Sequence, residues 1–194
     1  MMIMRVALWL GTALSLSACG GSSTSNGSSF ESLASTGNNL IATYGNAPIT
    51  DVQNMPQTST ATYRGVVAYS LDYSDPSLIL EYAETLSQLE LNANFATSQV
   101  SGRAYNFENY DPNITVGGQV NVNGSISENE FTGDVSGTTT ESGYGESVNV
   151  TYDRSVGGVF VGSGAEAIIG TGYAEGSTPG YGSFSVWMVF GANR

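Results

Sequence analysis

Residues 88–137 constrain the fold more tightly than any other stretch, because they spell two β-hairpins to one plan. In the first, Leu89, Leu91, Ala93 and Phe95 alternate with Glu90, Asn92 and Asn94, the chain turns through residues 96–99, and Val100-Ser101-Gly102 resumes. In the second, Val120, Val122 and Ile126 alternate with Asn121, Asn123 and Ser125, the turn is 127–130, and Phe131-Thr132-Gly133 resumes. Successive side chains of an extended backbone point to opposite sides, so apolar residues at period two mark a strand with one buried face. The two hairpins supply strands at 88–97, 99–108, 118–126 and 129–138.

The same alternation extends outward. Ala61–Ser70 holds Tyr63, Val67 and Tyr69 on one face, Glu146–Asp153 holds Val148, Val150 and Tyr152, and Gly157–Gly162 follows. Strands at 166–174 and 181–190 come next, the last with Phe184, Val186, Met188 and Phe190 on one face. Residues 71–87 read as a helical turn or a long loop. All five prolines (Pro48, Pro56, Pro76, Pro112 and Pro179) fall in the connections, as expected for a residue without the ladder N–H. Eight short antiparallel strands make a sandwich or a barrel, and closure is favoured because the first and last strands are too apolar to leave as edges. The fold class is therefore all-β: an eight-stranded antiparallel up-and-down barrel over 61–194. Glycines inside the strands (Gly65, Gly102, Gly124, Gly133, Gly170, Gly172) suit bends or close backbone approach. The third strand fits poorly: Tyr105 and Phe107 fall opposite Val100 and Ala104, so it is bulged or shows its aromatics outside.

Ahead of the barrel, Phe30, Leu33, Leu40, Ile41 and Tyr44 lie at roughly helical spacing, with Ser28 or Ser29 placed to cap the start. Gly37-Asn38-Asn39 interrupt that pattern, which predicts one short helix or a broken one within a lead-in of residues 30–60, the part from 45 onward extended. Residues 19–29 are Gly- and Ser-rich and read as a flexible tether. Residues 1–18 have the layout of a secretory signal: Arg5, an apolar run, then Leu16-Ser17-Ala18-Cys19. That ending resembles the bacterial lipobox, which implies cleavage before Cys19, its acylation, and a lipid anchor. Gly20 follows where lipoproteins kept at the inner membrane usually carry aspartate, so the resemblance implies the outer membrane.

Composition removes several function classes. The chain has no His, one Cys and a formal net charge of −12, with five Arg as its whole basic complement. No Ser–His–Asp or Cys–His site and no thiolate–imidazole zinc site can be built. So acidic a chain repels nucleic acid. Asp72, Asp75 and Asp111 lack the regular spacing of a calcium loop. No enzyme activity, metal or cofactor is expected.

One group of motifs resembles a known family. Tyr63-Arg64-Gly65, the hairpin units ending in Gly102 and Gly133, and Gly158-Val159-Phe160-Val161-Gly162 with Ala165-Glu166-Ala167-Ile168-Ile169-Gly170 resemble the transferrin-binding protein B-like β-barrel lipoproteins. The resemblance covers roughly 58–194. It implies an eight-stranded barrel, anchoring at the bacterial outer membrane, and binding of a protein or haem; it carries over no ligand-contacting residues.

Function is therefore expected on the connections 71–87, 109–117, 139–145 and 174–180 and on aromatics that the alternation leaves outside. Tyr63, Tyr69 and Tyr152 are expected in the core. Tyr105, Phe107, Tyr110, Tyr144, Tyr173 and Tyr181 are the candidate binding aromatics. The reading is a lipid-anchored barrel that binds a protein or other ligand at the cell surface or in the periplasm. Two alternatives stand beside it: a small-molecule (haem or other) carrier with an open interior, and an integral outer-membrane barrel.

Overall fold

The computed structural model describes residues 28–71, 79, 81–144, 146–178 and 182–194. Eight strands follow one short helix: α1 Phe30–Tyr44, then β1 Thr60–Ser70, β2 Thr85–Asn94, β3 Gln99–Asn109, β4 Thr115–Ser127, β5 Glu130–Gly143, β6 Glu146–Val161, β7 Ala167–Thr178 and β8 Gly182–Asn193. Each pairs antiparallel with its sequence neighbour, and β1 pairs with β8 from Arg64↔Asn193 to Ser70↔Trp187, closing the barrel. The expected architecture is the one observed.

Alternation sends one face of every strand inward. Tyr63, Val67 and Tyr69 of β1, Val150 and Tyr152 of β6, and Val186, Met188 and Phe190 of β8 are buried in one interior cluster. Phe160 lies fully buried at its centre, its ring 5.9 Å from Tyr63, 5.5 Å from Phe95 and 6.5 Å from Phe131. The outward positions of β4 and β5, among them Asn121, Asn123, Thr132, Asp134, Ser136 and Thr138, are polar and exposed. A barrel with an apolar inside and a polar wall is the inverse of one built to face lipid.

Glycines let the strands approach. A Cβ at Gly102 would clash with the Glu90 carbonyl oxygen and lie 2.8 Å from the Leu91 Cα across the ladder, so no larger residue fits there without shifting β2.

The strands run longer than their apolar runs. Residues 139–143, expected as a loop, extend β5, and Thr139 is fully buried. Likewise 174–178 extend β7, and β6 runs through Asp153–Gly157 without a break. Ladder hydrogen bonds hold these segments extended whatever their side chains, so Thr/Ser/Glu sequences continue the strands. The twin hairpins also differ at their tips. Ser127 pairs with Glu130 around a two-residue turn, whereas Asn94 pairs with Gln99 around four residues.

The misfit in the third strand is a bulge. Leu86 pairs with Glu108 but Gln88 pairs with Tyr105, so Ser87 opposes both Asn106 and Phe107, and Asn106 takes φ 52°. One extra residue reverses the alternation. Tyr105 stays outside as expected, but Phe107 turns inward and is buried against Tyr69, 5.6 Å away. Its expected place on the outer face is corrected.

β1 is apolar on its outer face too, and α1 covers it. The helix is unbroken through Gly37-Asn38-Asn39, capped by a reciprocal Ser29–Ser32 pair. Leu33, Gly37 and Leu40 form its buried stripe, packed on β1, β2 and β8. Leu33 joins Val66, Ala68 and Leu86 in a second cluster outside the barrel, flanked by Trp187 and Val189.

After α1 the lead-in seals one end of the barrel. Ile49 bridges Val161, Thr50 donates its backbone N–H to the Phe160 carbonyl at 2.8 Å and its hydroxyl to the Gly162 carbonyl at 2.8 Å, and Asn129 reaches the Thr50 carbonyl at 2.8 Å. Ala165, fully buried with φ 61°, is the hub. Its carbonyl accepts from the Tyr63 hydroxyl at 2.7 Å and from Arg194 Nε at 2.8 Å, while its N–H donates to Thr50 Oγ1 at 3.2 Å. These bonds offset a left-handed conformation that costs a non-glycine residue on the order of 1 kcal/mol.

Truncating the helix stripe tests the second cluster. Leu33→Ala should destabilise the protein by about 2–4 kcal/mol in urea unfolding, as expected for a buried leucine. A loss under about 0.5 kcal/mol would mean that α1 is not packed on the wall.

Candidate functional site

Strands that alternate in direction alternate the ends at which they connect. The links after β1, β3, β5 and β7 therefore share one end, and those after β2, β4 and β6 share the sealed end with the lead-in. The four connections expected to carry function all belong to the first group, so the topology gathers them around one mouth.

A cavity of about 340 Å³ opens there. Tyr69, Val150, Tyr152, Phe184 and Val186 line it, with Thr85, Asn109, Glu84 and Glu141. Beneath it, between Val67, Leu89, Phe131 and Met188, only about 20 Å³ is free. That is room for about one water, so the described side chains fill this part of the interior.

The cavity floor is aromatic. Tyr69 and Tyr152 meet with ring centroids 6.2 Å apart, and both are core residues as expected. Each hydroxyl has a partner, Ser87 Oγ at 3.2 Å for Tyr69 and Thr139 Oγ1 at 3.4 Å for Tyr152. Burial raises both phenols, Tyr152 to about 12, so both are neutral at physiological pH.

The wall is acidic. Burial holds the Glu141 carboxyl above the usual carboxylate range. Glu84 has one carboxylate oxygen, Oε2, buried without a hydrogen-bond partner, and its backbone carbonyl accepts from the Tyr110 N–H at 2.9 Å. Among the described side chains no cation is placed against these groups. Among the described residues the ion pair is Arg64–Glu90 on the outer wall; Arg103 lies over Tyr105, and Arg194 is held by the Gly164 and Ala165 carbonyls.

The rim carries exposed aromatics. Tyr110 is 76% exposed and packs edge-on against Phe30 of α1, with ring centroids 5.6 Å apart. Tyr144 is 77% exposed and its hydroxyl donates to Asp111 Oδ2 at 2.5 Å. Asp111 Oδ1 also accepts from the Asn113 N–H and side-chain amide, each at 2.9 Å. The Tyr144 hydroxyl first, then Asn113, holds the Asp111 carboxyl below its ordinary value, and the 110–114 turn is thereby tied to the β5–β6 tip. Leu71 and Tyr82 are also exposed here.

Of the candidate aromatics, then, Tyr110 and Tyr144 come together. Tyr105 sits on the wall beneath Arg103, 4.8 Å from the guanidinium carbon, and Tyr173 lies on the outer face, 4.9 Å from Trp187 with its hydroxyl 3.1 Å from Ser185 Oγ. Phe107 is core. Tyr181 and Cys19 lie outside the described residues. Glu84, Glu141, Leu71 and Tyr82 were missed. No local spacing marks these two residues, which line one cavity only because the strands close into a barrel.

Residues 55–194 match the family described as the C-lobe and N-lobe beta barrels of Tf-binding protein B. No curated protein sequence matches the chain. Similar solved structures include a mutant of transferrin binding protein B from Haemophilus parasuis Hp5, 22% identical with a TM-score of 0.47, over 75% of this chain and 28% of that one. Another is the isotype 1 protein of that name from serogroup B Neisseria meningitidis, 19% identical with a TM-score of 0.41, over 75% and 28%. A third is described as a surface lipoprotein, 18% identical with a TM-score of 0.39, over 76% and 65%. The chain thus spans little more than a quarter of the transferrin-binding proteins it resembles.

The buried Glu141 gives a pH test. Because its folded-state pKa is raised, the folded protein holds a proton that the unfolded chain has lost. Its stabilising contribution is complete below the ordinary value of 4.5 and is lost as pH rises through the raised one. Glu141→Gln should raise Tm by roughly 1–4 °C at pH 7 and change it little at pH 4. An equal shift at both pH values would contradict the burial of this carboxyl.

Proposed function

The chain belongs to the family of transferrin-binding protein B β-barrels, and from that premise we propose that it is a bacterial outer-membrane lipoprotein whose barrel mouth docks a protein partner, at the cell surface or in the periplasm. The observation that carries the reading is the mouth itself. Exposed Tyr144 and Leu71 line an open cavity, and exposed Tyr110 and Tyr82 lie on connections at the same end, while the opposite end is sealed by its own lead-in. Large aromatics around a concave centre are the usual energetic anchors of protein interfaces. The filled interior favours this reading over a carrier, and the polar wall favours it over an integral barrel. Transferrin appears in the names of relatives far longer than this chain, so the reading stops at a protein partner.

Membrane residence rests on the Leu16-Ser17-Ala18-Cys19 ending, with acylation of Cys19 as the anchor. A diacyl anchor holds far more durably than a single chain. Phe30 packs beside Tyr110, so the start of α1 lies at the mouth end of the barrel.

Two variants test the two halves of the proposal. Cys19→Ala should move the protein from the membrane fraction to the soluble one; retention in the membrane would refute lipid anchoring. In cross-linking on whole cells, Tyr110→Ala combined with Tyr144→Ala should reduce the yield of a discrete adduct about tenfold or more, whereas Tyr105→Ala on the wall should leave it unchanged. The opposite pattern would place the docking face on the wall.

A further inference from the structure

We infer that Asp111 is the positioning residue of the mouth: its carboxylate holds the Tyr144 ring outward, in the one orientation in which a protein partner meets it. The inference rests on the reading of the mouth as the docking face and adds what sets the geometry of that face.

Tyr144 stands where a tyrosine fits badly. Gly143 pairs with Glu146 across the β5–β6 tip, so two residues make the turn, and Tyr144, the first of them, takes φ 53°. Turns of this length ask for a positive φ, which glycine, asparagine and aspartate adopt cheaply and a bulky ring does not. Strain kept at one residue points to a use for its side chain. Packing is not that use, because the residue is 77% exposed. Its hydroxyl is nonetheless fixed, donating to Asp111 Oδ2 at 2.5 Å.

Asp111 is itself immobilised, and through other atoms. Its Oδ1 accepts from the Asn113 N–H and side-chain amide, its N–H donates to Asn109 Oδ1 at 2.9 Å, and its carbonyl accepts from the Ile114 N–H at 3.0 Å. Asn109 donates in turn to Thr85 Oγ1 at 3.1 Å, and the Tyr110 N–H to the Glu84 carbonyl, so the turn is built onto the start of β2. Oδ2 is thereby presented to Tyr144 from a fixed point on the rim. A phenol has one proton to donate. With that proton engaged by Asp111, the ring is what Tyr144 offers a partner. An exposed side chain left free would lose its rotamer freedom on docking, which weakens binding about two- to tenfold. The bond to Asp111 removes that loss in advance.

NMR on the full soluble chain, with Cys19→Ala to remove the anchor, reads the positioning without any partner. The χ1 couplings of Tyr144 should report one rotamer. In Asp111→Ala or Tyr144→Phe they should fall to averaged values while the amide spectrum keeps the barrel fold. In whole-cell cross-linking each of these two variants should lower the adduct yield about two- to tenfold. The double variant should lower it no further than either alone, because both remove the same hydrogen bond. A merely structural role for Asp111 in the 110–114 turn would make the two losses multiply. Averaged couplings in the unaltered side chain, one rotamer kept in Asp111→Ala, or losses that multiply would overturn the proposal and leave the rim-tyrosine result standing. An adduct indifferent to Tyr110→Ala with Tyr144→Ala would instead refute the docking reading, and this proposal with it.

Discussion

Closure of β1 on β8 is the constraint from which the rest follows. A small barrel has no edges to protect, but it must fill its axis with one face of every strand, and this chain does so around Phe160. The closing strands are apolar outside as well as inside: Val66 and Ala68 on β1, Trp187 and Val189 on β8. An exposed seam of that kind would be a sticky patch. The helix α1 exists to cover it, with Leu40 lying 3.6 Å from where a Gly191 side chain would begin. Closure also sorts the connections into two ends, and the lead-in, Ala165 and Arg194 use up one of them. What is left for recognition is the mouth and the polar wall.

The motif that most suggests the family turns out to build the seal. Phe160 fills the core, Gly162 takes φ 89° at the start of the β6–β7 turn, and Ala165 sits fully buried in a left-handed conformation where its carbonyl collects two donors. Glu166 accepts from the Ser163 hydroxyl at 2.7 Å within the same turn. None of these residues faces the mouth. The motif that most suggests the family therefore belongs to the architecture of the closed end.

That division explains what could be read from the chain. Period-two alternation placed every strand, because one buried face per strand is the physical content of a barrel. It failed at Phe107, where a single bulged residue, Asn106, reversed the parity that had placed the ring outside. It stopped short at Thr139–Gly143 and at 174–178, where polar residues continue strands on ladder hydrogen bonds rather than on burial. The rim tyrosines Tyr110 and Tyr144 were legible because they fall in connections, whose residues lie outside the packed interior. Glu84 and Glu141 were not. Their place around one cavity is a property of strands closing into a barrel, and no one-dimensional pattern records it.

Amide hydrogen exchange on the free and partner-bound protein tests the assignment of the mouth most directly. The Tyr110 and Ile114 amides, bonded to Glu84 and Asp111 at the mouth, report on one end, and those of Thr50, Phe160 and Gly162 report on the other. Protection that grows on binding at Tyr110 and Ile114, with Thr50, Phe160 and Gly162 unchanged, is the predicted result. New protection confined to the sealed end or to the β4–β5 wall would contradict it.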